Sequence, residues 1–333
     1  MCVRIPANLG PTPEAEWRMT FDRDRVKRAV AALARKGVFI GTSSWKYPGW
    51  RGTLYDETRY IYRGKFSEKR FDDLCLAEYA EVFKTVCVDA TYYKFPDRRA
   101  LENMVAQVPA DFLFSFKVTD EIIIRKFSNL PRFGVRGGKL NEQFLNVALF
   151  SSAFLGPCEL FRHNIGLLIF EFPHFYASDF AQGRDFVNAL DQFFAQLPND
   201  WRYGVEIRNR NFLRPEYFGS LARRGVAHIY NSWTDMPSVN EQLMLLDSHA
   251  NPEFFGGRFL LKPGRTYEEA VRLFSPYDRV KEVNEEGRAA GAKLIEAAAA
   301  GGGRTQAFLY VNNRFEGNAL ETIEAMVDLA DLE

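Results

Sequence analysis

Eight short runs of β-branched and aromatic residues, each followed by a longer stretch of helical character, constrain this chain more than any other feature. The runs are VFIGT (38–42), TVCVD (85–89), FLFSFK (112–117), GLLIFE (166–171), YGVEIR (203–208), VAHIY (226–230), RFLLK (258–262) and AFLYV (307–311). Helical stretches follow at 71–82, 97–107, 140–154, 183–197, 214–224, 237–246, 278–299 and 318–331. Strands alternating with helices build βα units and a parallel sheet, and eight such units close a (β/α)8 barrel. The rival is an open doubly wound sheet, which often carries a glycine-rich phosphate turn after its first strand. Here the first run leads into TSSWKYPGW, without G-x-G-x-x-G. The expectation is an α/β fold of the TIM-barrel type, one domain over 37–333. An arm and an extra N-terminal helix precede it over 1–36, the helix at 20–36 capped by Thr20 and stopped by Gly37.

Composition narrows the function classes. Lysine plus arginine equal aspartate plus glutamate at 43 each, so the basic excess of a nucleic-acid binder is missing. No run approaches roughly 18 apolar residues, which argues against a membrane span. The first ten residues lack the pattern of a secretory leader. Cys2, Cys75, Cys87 and Cys158 show no metal-ligand spacing and read as reduced thiols. A cytoplasmic location is therefore expected. The oligomeric state is not legible.

Strand parity gives the strongest pointer to a site. Residues i and i+2 share a face of a strand. In FLFSFK the three phenylalanines take the helix side, leaving Leu113, Ser115 and Lys117 inside. The same reasoning turns Cys87 and Asp89, Glu206 and Arg208, and Arg258, Leu260 and Lys262 inward, with Glu171 closing the fourth strand. His228 fits either face. Charges thus recur at the inward C-terminal ends of several strands, where barrel enzymes keep their catalytic groups. Such groups must pair with one another or with a ligand. Two long connections, 43–70 and 118–139, exceed ordinary βα loops and read as lids or binding segments.

GTSSWKYPGWRGTLYDE (41–57) resembles the opening signature of the YecE-like family, labelled domain of unknown function 72. The likeness continues through YAEVFKTVCVDATYYKFP (79–96), FLFSFKVTDEI (112–122), GLLIFEFP (166–173), GVEIRNRNF (204–212) and YVNNRFEGNA (310–319). The resemblance implies a TIM barrel and no established activity. Its motif positions fall on Gly41, Thr42, Trp45, Tyr47, Trp50, Tyr93, Lys117, Pro173, Glu206, Arg208, Asn312 and Asn313. Two departures stand out. Cys87 and Asp89 replace a usual Glu and Asn, and Glu171 stands where Gln is common.

The candidate catalytic set is Glu206, as base or charge anchor, with Arg208 and Lys117 as anion clamps and Asp89 and Glu171 in secondary acid–base roles. Thr42, Trp45, Tyr47, Trp50, Tyr93, Lys262, Asn312, Asn313 and Arg314 are candidate ligand-binding residues. The aromatics of 45–55 could wall a sugar or base, or pack the loop on itself. Inward and loop cations outnumber the inward acids, which favours a small anionic substrate. With four histidines in the chain, metal catalysis is not favoured, although Asp89 and Glu171 leave room for a single divalent ion. No cofactor is expected. The leading expectation is a metal-independent enzyme acting on a small anionic or sugar-like molecule. The alternatives are a binding protein for single-stranded nucleic acid or another anion, using the basic 122–139 loop, and a scaffold whose mouth is closed by its own ion pairs.

Overall fold

A computed structural model describes residues 21–331. The arm at 1–19 and the proposed cap Thr20 lie outside the described residues. The first helix runs Arg23–Arg35 and is capped by Asp22, whose side chain accepts from the Arg25 amide. Its apolar stripe, Val26, Val30 and Leu33, is buried in the same core as the barrel helices. Arg25 on its other side is ion-paired to Glu324 and Asp328 of the last helix, Ala319–Leu329.

Eight parallel strands close a barrel in sequence order: β1 Val38–Thr42, β2 Thr85–Val88, β3 Leu113–Lys117, β4 Ile165–Glu171, β5 Tyr203–Glu206, β6 Ala227–Ser232, β7 Phe254–Phe259 and β8 Gln306–Val311. The fold is the expected (β/α)8 TIM barrel. Parity holds around the ring. Phe112, Phe114 and Phe116 join the large core between strands and helices. Cys87, Leu167, Ile169, Ala227, Ile229, Phe254, Phe308 and Tyr310 fill the interior. His228 is settled on the helix side, where its Nδ1 lies 3.1 Å from the Tyr217 hydroxyl.

One strand departs from expectation. β7 is FFGGRF, not RFLLK, four residues earlier than its sequence reading. The pair Gly256–Gly257 hides it, because glycine is depleted in strands. Inside the barrel, however, a Cβ on Gly256 would sit 3.1 Å from Ile229 and Leu167, so the glycine makes room for the side chains that fill the centre. Lys262 thereby falls beyond the strand instead of pointing inward. A helix at Tyr267–Phe274 was not anticipated, and the helix expected at 278–299 begins only at Glu285.

The β1–β2 seam is closed by a side chain. Only Thr42 and Val86 pair across it. The Tyr79 hydroxyl accepts from the Thr42 amide at 3.0 Å and donates to the Thr85 carbonyl at 3.0 Å. This closeness requires Gly41: a Cβ there would lie 2.1 Å from the Thr85 carbonyl oxygen. Gly41→Ala is expected to destabilise the protein by roughly 1–3 kcal/mol through overpacking, measured by urea unfolding. A change within a few tenths would show that the seam has slack.

Candidate functional site

The C-terminal ends of β2, β3, β4, β5 and β7 place three carboxylates and three cations in one cluster. Lys117 Nζ lies 3.0 Å from Glu171 Oε2 and 3.8 Å from Asp89 Oδ1. Arg208 Nη2 lies 2.6 Å from Glu206 Oε1 and 3.1 Å from Glu171 Oε2. Arg258 bridges the centre: Nη1 donates to Glu206 Oε2 at 2.6 Å and also to Glu171, and Nη2 lies 3.5 Å from Asp89. All five residues of the expected catalytic set are therefore brought together. Arg258, turned inward by parity but not included in that set, is the residue that links them.

Exposure sorts the cluster by depth. Glu206 is fully buried and Arg258 and Arg208 nearly so, whereas Glu171 is 16% exposed and Asp89 35%. A molecule entering the mouth meets Asp89 first, then Glu171 and Lys117. Glu206 lies beneath two guanidinium groups, a place that suits an anchor better than a base.

Electrostatics fixes the charge states. Burial works against ionisation of Glu171, but Lys117, Arg208 and Arg258 overcome it and hold the carboxyl well below the usual carboxylate range. Burial likewise opposes the Lys117 ammonium, yet Glu171 and Asp89 outweigh it and raise the group above its ordinary value. Lys117 is thus a charged donor at neutral pH and not a nucleophile. Glu171 is an anion and not a proton donor, which leaves the acid half of a glycosidase-type carboxylate pair unfilled. Burial also pushes the Cys87 thiol far up, which removes it as a thiolate.

Two aromatic residues that sequence reasoning missed support the cations. The Arg208 guanidinium lies 3.7 Å from the Trp233 ring centre, and Lys117 Nζ lies 4.4 Å from that of Tyr92. Such faces stabilise a desolvated cation. Tyr92 sits in a 3-10 turn, Asp89–Tyr92, so period-2 reasoning could not separate it from Tyr93. Tyr93 itself is 66% exposed and stacks with Arg132 at 5.2 Å, outside the cluster.

The remaining expected ligand residues divide. Tyr47 lies close to Arg314, Asp89, Tyr277 and Tyr267, at the mouth. Arg314 packs 4.7 Å from the Tyr267 ring, has no carboxylate at ion-pair distance among the described residues, and keeps a buried Nε without an acceptor. Asn312 and Asn313 serve the backbone, accepting from the amides of Arg314 at 3.0 Å and Ala319 at 2.8 Å. The Asn313 Nδ2 group remains unpartnered. Thr42 is buried against Tyr79. Trp50 is wholly buried and packs on Tyr47 and Tyr55, while Trp45 is buried at the edge of the same core. These two tryptophans hold the loop down. Lys262 is drawn outward to Glu282 at 3.1 Å, a consequence of the shifted β7.

Asp89 and Glu171, the pair with room for a divalent ion, already face Lys117 and Arg258, and this cationic surrounding opposes a further cation. Among the described residues no group of three or more His, Cys, Asp or Glu side chains is placed to hold a metal. In the basic loop, Arg132 and Arg136 are tied to Asp120 and Glu121 at 2.8 and 2.5 Å. No helix among the described residues is long and apolar enough to cross a membrane.

A closed ring of eight parallel strands with a charge-laden C-terminal mouth defines a TIM barrel. The family described as "Protein of unknown function DUF72" matches residues 39–333, and the chain belongs to it. Among solved structures the chain is similar to a DUF72 family protein of Enterococcus faecalis, at 15% identity and a TM-score of 0.57, over 89% of this chain and 96% of that one. It is also similar to a DUF72 family protein of Thermotoga maritima, at 18% identity and a TM-score of 0.55, over 88% and 97%. At these identities the likeness shows the fold. No curated protein matches the chain.

Proposed function

We propose that the C-terminal mouth binds a small anionic or sugar-like molecule and acts on it without a resident metal. The observation that carries this reading is Arg314. The six-charge cluster is balanced, three against three, whereas Arg314, whose charge acts on Tyr47, has no carboxylate at ion-pair distance among the described residues. An unpaired guanidinium near a cluster of tyrosines suits a carboxylate or phosphate held by forked hydrogen bonds. Lys117, a charged donor, would donate to the ligand, and Asp89, the most exposed carboxylate of the cluster, would accept a hydrogen bond from it. Cys75, Cys87 and Cys158 are free and buried, which suits a reducing cytoplasm.

The balanced cluster also favours a second reading, a scaffold closed by its own ion pairs. One experiment separates the two. The full chain and Arg314→Gln are heated with inorganic phosphate, glucose 6-phosphate, glucuronate or glucose, and NMR of the same mixtures reads any conversion. Ligand at about 100 Kd adds about 2.7 kcal/mol of stability, a rise of a few degrees. The reading expects at least one anion to raise the wild-type transition saturably and Arg314→Gln to lose that rise. A transition unmoved by every compound would leave the scaffold standing.

A further inference from the structure

The N-terminal end of the barrel, opposite the mouth, opens into a basin of about 1250 Å³. Its lining carries five arginines against two carboxylates, Asp200 and Glu253. Three of the arginines are engaged: Arg162 with Asp200 at 2.5 Å, and Arg223 and Arg224 with Asp191 at 3.2 and 2.7 Å. Arg202 and Arg304 are not. Among the described residues neither has a carboxylate at ion-pair distance.

Arg202 is the informative one. It stands at the entrance of β5, where its Nη1 reaches only the carbonyls of Ile165 and Gly166, at 3.3 and 3.4 Å. Its guanidinium lies 5.9 Å from the ring of Phe308, which fills the lower interior. Burial lowers its pKa, offset only in part by Glu253, as befits a cation lacking a counter-charge. Next to it, Tyr203 also lines the basin. Its ring turns the other way, into the core between β5 and the helices against Phe150, Phe170 and Phe194, which leaves Arg202 as the polar group at the basin floor. A half-buried cation that reaches only two long carbonyl contacts is met by a ligand with several oxygens.

We propose that this basin binds a multiply charged phosphate compound, an oligophosphate or a phosphate ester, with Arg202 at its floor and Arg304 at its rim. The lining holds more arginines than carboxylates and two of them lack an ion-pair partner among the described residues, which favours a multiply charged anion, and guanidinium forks match phosphate oxygens. This end of a TIM barrel does not carry its chemistry, so the site is a second one, independent of the mouth.

The probe is sodium tripolyphosphate, titrated calorimetrically into the full chain at about 50 mM NaCl, where screening is modest. Because the mouth is itself read as an anion site, the titration compares wild type with Arg314→Gln, and one equivalent is expected at the basin in both. Arg202→Gln should weaken binding about 10-fold or more, as loss of a charge-assisted hydrogen bond implies. Arg304→Glu, at an exposed rim position, should weaken it as well, and covers the case in which Arg202→Gln fails to fold. Arg314→Gln, at the mouth, removes only what the mouth binds and should leave the basin equivalent, with its Arg202 and Arg304 dependence, in place. The proposal falls if wild type does not bind, if both basin variants bind as wild type, or if Arg314→Gln alone abolishes binding. It falls too if hexaglutamate binds as tightly as tripolyphosphate, since the basin would then read charge and not phosphate.

Discussion

Arg258→Met is expected to destabilise the fold by about 3–5 kcal/mol at neutral pH, the range for breaking a buried ion pair from one side. Arg258 is 2% exposed and is the cation shared by Glu171 and Glu206. Removing it leaves Glu206, with no exposure, facing Arg208 alone, and gives the cluster a net negative charge. The pH dependence supplies a second signature. Glu171 is buried, which opposes its charge, but three cations hold its folded value below the ordinary 4.5. A carboxyl lowered in this way stabilises the fold above its unfolded value and loses that contribution as pH falls. Without Arg258 the lowering shrinks, so the gap between variant and wild type should narrow on going from pH 7 toward pH 3. Glu206→Gln in the Arg258→Met background should recover part of the loss, because it removes the stranded charge. Urea unfolding of wild type, Arg258→Met, Glu206→Gln and the double variant at both pH values measures all of this. A gap that stays constant with pH, or a double variant whose losses simply add, would mean that the cluster is not one coupled unit.

The sequence carried the barrel and most of its charged mouth, for a definite reason. Parity is a local property, and a charge at an inward position of a strand is costly enough to announce itself. Lys117, Glu171, Glu206 and Asp89 were legible on that ground alone. Arg258 was legible by parity but had no visible partner, since its carboxylates lie 87 and 52 residues away in sequence. β7 was displaced because Gly256 and Gly257 mimic a turn locally, and only the packing of Ile229 and Leu167 explains them. Trp45 and Trp50 read equally well as ligand wall or loop core. Their burial depends on Tyr47, Tyr55 and the surrounding core, which no spacing rule places. The unpaired state of Arg202 and Arg314 was invisible for the same reason: a missing partner is a fact about three dimensions.

Acid should weaken this protein well before its carboxylates titrate, through His228. Burial among Tyr217, Phe218 and Tyr230 lowers its pKa from 6.5 to about 3, with a hydrogen bond to Gln242 working the other way and His249 adding slightly. The sign follows from proton binding. Between pH 6.5 and about 3 the unfolded chain takes up a proton at this histidine and the folded chain does not. Stability therefore falls as pH falls, by about 2 kcal/mol at pH 5 and about 3 kcal/mol at pH 4 for this one group. His249, also lowered by burial, acts in the same direction. His228→Phe keeps a ring against Tyr217 and Phe218 but cannot titrate, and Tyr217 retains the Val205 carbonyl at 3.4 Å as an acceptor. Its stability at pH 7 is expected to change less than its pH dependence does. Urea midpoints at pH 7 and pH 5 should separate by about 2 kcal/mol less in the variant than in wild type. Equal separations would show that His228 accepts its proton in the folded state, and that the interior behind β6 is wetter than its packing implies.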